Sequence, residues 1–238
     1  MTMTTKYLET TSILNYQDVR IQNLIEQRQW CELTKDQALK SVYYFIRDEI
    51  KFGYNSDDAI SASEVLSDGY GQCNTKSTLF MALLRSLDIP CRFHGFTIFN
   101  ALQRGAIPDY LMFLAPQRIL HSWVEVQLDG KWFNHEGFII DDVLLKKIQR
   151  AFPNKKQFSG YGIDVPNLQK PTNEYHGDST YIQSGGIADD FGVFNAPDEF
   201  YQKYGSNLRG LKKYLYRYVV RHIMNNNVKR LRQNGLKV

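Results

Sequence analysis

The sequence predicts an α+β fold with extra helices at both ends, and three features predict it. Residues 73–87 are apolar over a broad face, as a central buried helix would be. Residues 34–50 carry a stripe spaced at three and four, the pattern of a second core-facing helix. Residues 120–128 and 131–140 flank Asp129-Gly130, the signature of a tight β-hairpin.

The remaining elements follow in chain order. Val19, Ile21, Leu24 and Ile25 place a helix over 17–30. Thr34 is the N-cap of the next helix, and Leu39, Val42, Tyr43, Ile46 and Ile50 form its stripe. Residues 62–66 suit a short helical turn, and Asp68-Gly69-Tyr70-Gly71 a glycine turn. The buried helix then carries Leu79, Phe80, Leu83, Leu84 and Leu87, until Asp88-Ile89-Pro90 ends it. Residues 91–99 read as a strand, 100–118 as a flap with a short element, and 142–152 as a helix. Residues 153–197 are rich in Gly, Pro, Asn and Asp, show no period and read as one long irregular segment. A short helix is expected at 198–204, then an amphipathic one whose stripe is Leu208, Leu211, Leu215, Tyr218 and His222. The expected organisation is one domain over 1–238. It divides into a core at 35–140, the irregular segment at 153–197 and a basic helical extension at 198–238.

Composition narrows the class. Of 238 residues, 43% are hydrophobic and 23% charged, so whole-chain disorder is excluded. No run reaches the roughly 18 apolar residues that a membrane span requires. The first sixteen residues lack the basic and apolar regions of a signal peptide. With three cysteines, Cys31, Cys73 and Cys91, this favours reduced thiols and a cytoplasmic location. Charge is distributed unevenly. Residues 209–238 hold nine basic side chains and no acidic one; against the net +4 of the whole chain, this leaves −5 on residues 1–208. The tail therefore calls for an anionic partner, either nucleic acid, an anionic membrane or the acidic body itself.

Chemistry concentrates at Cys73. A thiol that follows a glycine turn and opens a helix meets unpaired N–H groups and the positive end of the helix dipole, which favour thiolate. The same N–H groups suit an oxyanion, with the Cys73 N–H and the Gln72 side chain as candidate donors. The base candidate is His121. If Asp129-Gly130 is the two-residue turn, Leu128 faces Lys131, and Glu136 falls diagonal to His121 on the same face. His135 points to the other face. A carboxylate beside the imidazole fixes its tautomer and supports its charge, which completes a Cys73–His121–Glu136 set. Cys91 and His94, three apart on a strand, point to opposite faces and suit no single metal ion. No cofactor is expected.

The motifs themselves resemble a family. Tyr70-Gly71-Gln72-Cys73, with Thr75 to Arg85 and Ile89-Pro90-Cys91-Arg92, is similar to the nucleophile helix of the transglutaminase-like superfamily. His121-Ser122-Trp123-Val124-Glu125-Val126 and Asp129-Gly130-Lys131-Trp132 resemble its histidine strand and the strand after it. Phe45-Ile46-Arg47-Asp48 and Ile50-Lys51-Phe52-Gly53-Tyr54 resemble the segment before its glycine turn. The resemblance covers about residues 35–140. It implies a papain-like core, a helix packed on an antiparallel sheet, with Cys73 as nucleophile, His121 as base and acid, and an acid on the next strand. Glu136 stands where the family usually has Asp; Asn134 and Asp141 are lesser candidates for that role. Asn74 follows the nucleophile where the crosslinking eukaryotic enzymes have Trp, and nothing resembles their accessory domains. The implied activity is attack on a peptide or protein amide through a thioester, with hydrolysis favoured. The alternatives are acyl transfer to an amine, or a silent binding module that uses the basic tail.

Overall fold

A computed structural model describes residues 5–236. Helix α1 (Val19–Gln27) starts at Asp18, whose carboxylate accepts the Arg20 N–H. Helix α2 (Lys35–Tyr44) starts at Thr34 in a reciprocal box. The Thr34 hydroxyl accepts the Gln37 N–H and the Gln37 side chain accepts the Thr34 N–H. The helix was expected to reach Ile50; instead it widens into a π-type turn at Phe45–Glu49 that leaves Arg47 buried. Strand β1 (Lys51–Phe52) follows, then α3 (Ala62–Asp68), closed by Gly69 at φ +68°. Strand β2 (Tyr70–Gly71) pairs parallel with β1 and leads into α4 (Cys73–Ser86), buried at every position from Cys73 to Arg85.

Strands β3 (Cys91–Phe99), β4 (Arg118–Leu128) and β5 (Lys131–His135) come next. Asp129 and Gly130 take φ of 50° and 77°, and Leu128 pairs with Lys131, the register that the Asp-Gly turn predicts. The return strand ends at His135, short of the expected Ile140. There Gly137 sits in a slot where a Cβ would lie 2.5 Å from the Tyr43 hydroxyl and 2.8 Å from the Asn173 Cα. The chain turns, with the Ile139 N–H donating to the Glu136 carbonyl. Helix α5 (Asp142–Ala151) follows.

The segment at 153–197 is not irregular throughout. It holds the small hairpin β6 (Phe158–Gly160) and β7 (Ile163–Val165), and then β8 (Ile187–Phe194), which joins the edge of the main sheet. The sheet is antiparallel in the order β5-β4-β3-β8, and α4 packs on β3 and β4. Strand β8 has half-buried side chains and bulges against β3 between His94 and Phe96, so it lacks the alternation that marks a strand.

Helix α6 (Pro197–Tyr204) precedes a C-terminal rod, α7 (Gly210–Leu215) and α8 (Arg221–Asn234), joined by a π-type turn at Tyr216–Val220. Part of its expected inner stripe is outside: Leu211 is 83% and Tyr218 57% exposed. No residue of α7 is buried, and after the wide turn the inward face is Val220, Met224 and Val228. Two of the basic side chains find acidic partners on the body itself. Lys213 pairs with Asp57, and Arg232 with the fully buried Asp141 at 2.7 Å. No described helix is long and apolar enough to cross a membrane.

Candidate active site

The site is built where the first turn of α4 meets β4. Gly71 permits the approach, since a Cβ there would lie 2.7 Å from Thr75 Oγ1 and 2.9 Å from Lys76 Cγ. The Thr75 hydroxyl donates to Asn55 Oδ1 at 2.6 Å and accepts the Gln72 N–H at 3.1 Å, which pins the turn. The first helical bond runs from the Lys76 N–H to the Gln72 carbonyl and the Gln72 side chain accepts the Thr75 N–H, so the N–H groups of Cys73 and Asn74 have no acceptor within the helix. Cys73 is 8% exposed and free of any disulfide.

His121 is fully buried on β4. Its Nε2 lies 2.7 Å from Glu136 Oε1. Glu136 Oε2 accepts the N–H groups of Ile182 at 3.1 Å and Gln183 at 2.9 Å, so both carboxylate oxygens are held. The Phe96 ring packs edge-on against the imidazole with centroids 4.8 Å apart, and the Cys73 thiol is close enough to act on the charge of His121. Burial alone would lower the His121 pKa. The charge and hydrogen bond of Cys73, then those of Glu136, outweigh burial and raise it to about 10. The three residues singled out by the sequence are thus brought to one place.

The other candidates go elsewhere. The Asn134 amide donates to the Tyr181 hydroxyl at 3.0 Å, and Asp141 caps α5 through the Leu144 N–H. His135 is buried among the rings of Tyr43, Phe80 and Tyr175, where desolvation lowers its pKa to about 3 and keeps it neutral. Gln72 Nε2 donates to Asp58 Oδ1 at 3.2 Å, which commits one of its two amide protons. The Cys91 thiol faces the Met81 carbonyl, whereas His94 sits between Glu125 and Asp190, 2.7 Å from each.

Several positioning groups were not foreseen. The Asn74 amide donates to Asp58 Oδ1 and to the Leu120 carbonyl, both at 3.1 Å, and its oxygen accepts the Ser122 hydroxyl at 3.0 Å. It therefore ties the nucleophile helix to both chain neighbours of His121. Asn207 closes the same network, donating to Asp58 Oδ2 at 2.8 Å and accepting the Leu120 N–H at 2.6 Å. The available signal was a run of polar residues, Asn74 to Thr78, inside a helix otherwise read as buried.

Comparison with known proteins agrees with the core. Residues 24–136 match the family model of the transglutaminase-like superfamily. No curated protein matches the chain. Among solved structures, a candidate cysteine protease from Cytophaga hutchinsonii aligns with 84% of this chain at 12% identity and a TM-score of 0.48. The alignment covers 49% of that protein, so the chain spans about half its length.

Proposed function

Because residues 24–136 form a transglutaminase-like core, we propose that the chain is a cysteine enzyme acting on amide bonds. Cys73 is the nucleophile, His121 the general base and acid, and Glu136 the acid that orients the imidazole. The observation that carries this reading is a buried imidazole with a carboxylate on Nε2 and the Cys73 thiol near enough to act on its charge.

The steps follow from that arrangement. The Cys73 sulfur attacks the amide carbon and the carbonyl pair moves to oxygen, held by the first-turn N–H groups of α4. His121 gives its proton to the nitrogen as the C–N bond breaks; the amine leaves and a thioester remains. His121, now neutral, takes a proton from water. The hydroxide adds to the thioester and the C–S bond breaks, which releases a carboxylic acid and restores the thiolate–imidazolium pair. Glu136 keeps Nε2 protonated throughout, so that Nδ1 is the nitrogen that exchanges protons. Hydrolysis is the favoured outcome; an amine that intercepted the same thioester would give transfer.

Alkylation by iodoacetamide at pH 6, read by peptide mass after digestion, tests the pair. Cys31 is exposed and serves as the internal reference. His121→Ala should slow labelling of Cys73 by about tenfold or more and leave Cys31 unchanged. Equal Cys73 rates in the two proteins would sink the catalytic reading.

A further inference from the structure

Cys73 opens on a cavity of about 130 Å³. Ile107, Leu111 and Ile119 form one wall; Leu215, Val220 and Met224, from the C-terminal rod, form the other. The accessible lining is mostly apolar; besides Gln72, Cys73 and Asn74, its polar side chains include Asp57, Gln103, Lys212 and Lys213. The rod is fixed over this space by polar contacts. Asn207 holds Asp58, Lys213 pairs with Asp57, and the Tyr216 hydroxyl donates to the Asn55 carbonyl at 3.1 Å. Asn225 locks onto the Tyr54 backbone with two hydrogen bonds, its oxygen accepting the Tyr54 N–H at 2.7 Å and its amide donating to the Tyr54 carbonyl at 3.0 Å.

Which half of a substrate would enter is decided by the nucleophile. The acyl group becomes bonded to the Cys73 sulfur, and Cys73 lines the cavity. The cavity therefore lies beside the group that stays on sulfur. We infer that it is the acyl-group site, and that the acyl donor carries a compact apolar group beside the carbonyl attacked by Cys73. Size sets the class. An apolar site of about 150 Å³ holds one benzene ring, so 130 Å³ suits a phenyl ring or about six aliphatic carbons. An amino-acid side chain such as that of Phe or Leu fits; a long lipid chain does not. This inference rests on the reading of Cys73 as the nucleophile, and it makes the C-terminal rod, outside the family-matched core, a determinant of specificity.

The test removes the nucleophile and measures binding alone. In full-length Cys73→Ala, simple amides are titrated and the Met224 methyl resonance is followed. Hexanamide and 3-phenylpropanamide should each bind at least tenfold more tightly than propanamide and should shift Met224, since three added methylenes leave water for an apolar wall. Dodecanamide should gain nothing over hexanamide. Ala115→Trp, which fills the cavity from its loop side, should abolish the preference, and Leu215→Glu, at a half-exposed wall position, should weaken hexanamide at least fivefold. Affinity independent of chain length, continued gain to dodecanamide, or indifference to both wall variants would overturn the inference. The two readings fail separately. A Cys73 that is inert to alkylation, with chain-length preference intact, removes the catalytic role and keeps the pocket. A reactive Cys73 without that preference removes the pocket alone.

Discussion

Glu136 spends its two carboxylate oxygens on two tasks: one holds His121 Nε2 and the other the amides of Ile182 and Gln183. The methylene that separates Glu from Asp is accommodated because residues 180–183 wrap around the end of β5, the Glu136 N–H donating to the Thr180 carbonyl at 3.0 Å. The Glu136 charge, with that of Cys73, is what keeps His121 protonated against its burial. Glu136→Gln preserves the shape and removes that charge. It should lower the pH at which His121 loses its proton by about two units, the size of effect expected for a neighbouring opposite charge. Imidazole ¹⁵N shifts over a pH series would check this, and an unchanged midpoint would leave Cys73 as the sole support of the imidazolium. The His121–Glu136 pair was legible because a two-residue turn fixes register by counting. Asn74, Asp58 and Asn207 were not, because their meeting joins residues from three distant parts of the chain, and no local pattern encodes it.

At the scale of elements, Gly71 decides how the nucleophile helix begins. Its absent Cβ would lie 2.7 Å from Thr75 Oγ1 and 3.3 Å from the Lys76 backbone nitrogen, and Thr75 is tied to Asn55 and cannot swing away. Gly71→Ala should therefore displace the first turn of α4, cost about 2 kcal/mol in urea unfolding and slow Cys73 alkylation. Gly69→Ala is the control. Its φ of +68° carries a strain of about 1 kcal/mol, yet nothing lies within 4 Å of an added Cβ, so Cys73 should label at the native rate. A Gly71→Ala protein as stable as wild type would show that β2 and α4 can separate freely. The sequence made α4 and the hairpin plain, because one carries a strong period and the other a turn of fixed geometry, and it showed β3 by a looser alternation. It concealed β8, whose pairing partner lies about ninety residues upstream and whose bulges break alternation. It also misplaced the inner face of the C-terminal rod, since that face begins only at Val220, in a π-type turn that leaves no mark in composition.

The whole molecule joins its acidic body to its basic tail beneath the active site. Asp141, fully buried, accepts Arg232 from the last helix and the Phe52 N–H at 3.1 Å, and its charge also acts on Lys76. Lys76 lies one turn after Cys73, is fully buried and donates to the carbonyls of Ile139 at 2.9 Å and Arg47 at 3.3 Å. Desolvation lowers its pKa from 10.5 to about 7, against the pull of Asp141 and Asp48. The sign of the consequence is set by proton counting. Between pH 7 and 10.5 the unfolded chain holds a proton on this lysine that the folded chain has released, so Lys76 makes stability rise with pH across that window. Below pH 7 both states are charged and the contribution is lost in full. Lys76→Met keeps the length of the side chain and removes the titration. The difference in unfolding free energy, wild type minus variant, should therefore climb between pH 7.5 and 10 with a slope approaching about 1.4 kcal/mol per pH unit. Urea denaturation at five or six pH values would measure it. A difference that stays flat would mean that Lys76 keeps its charge in the fold, held there by Asp141 and Asp48 against the repulsion of Arg232.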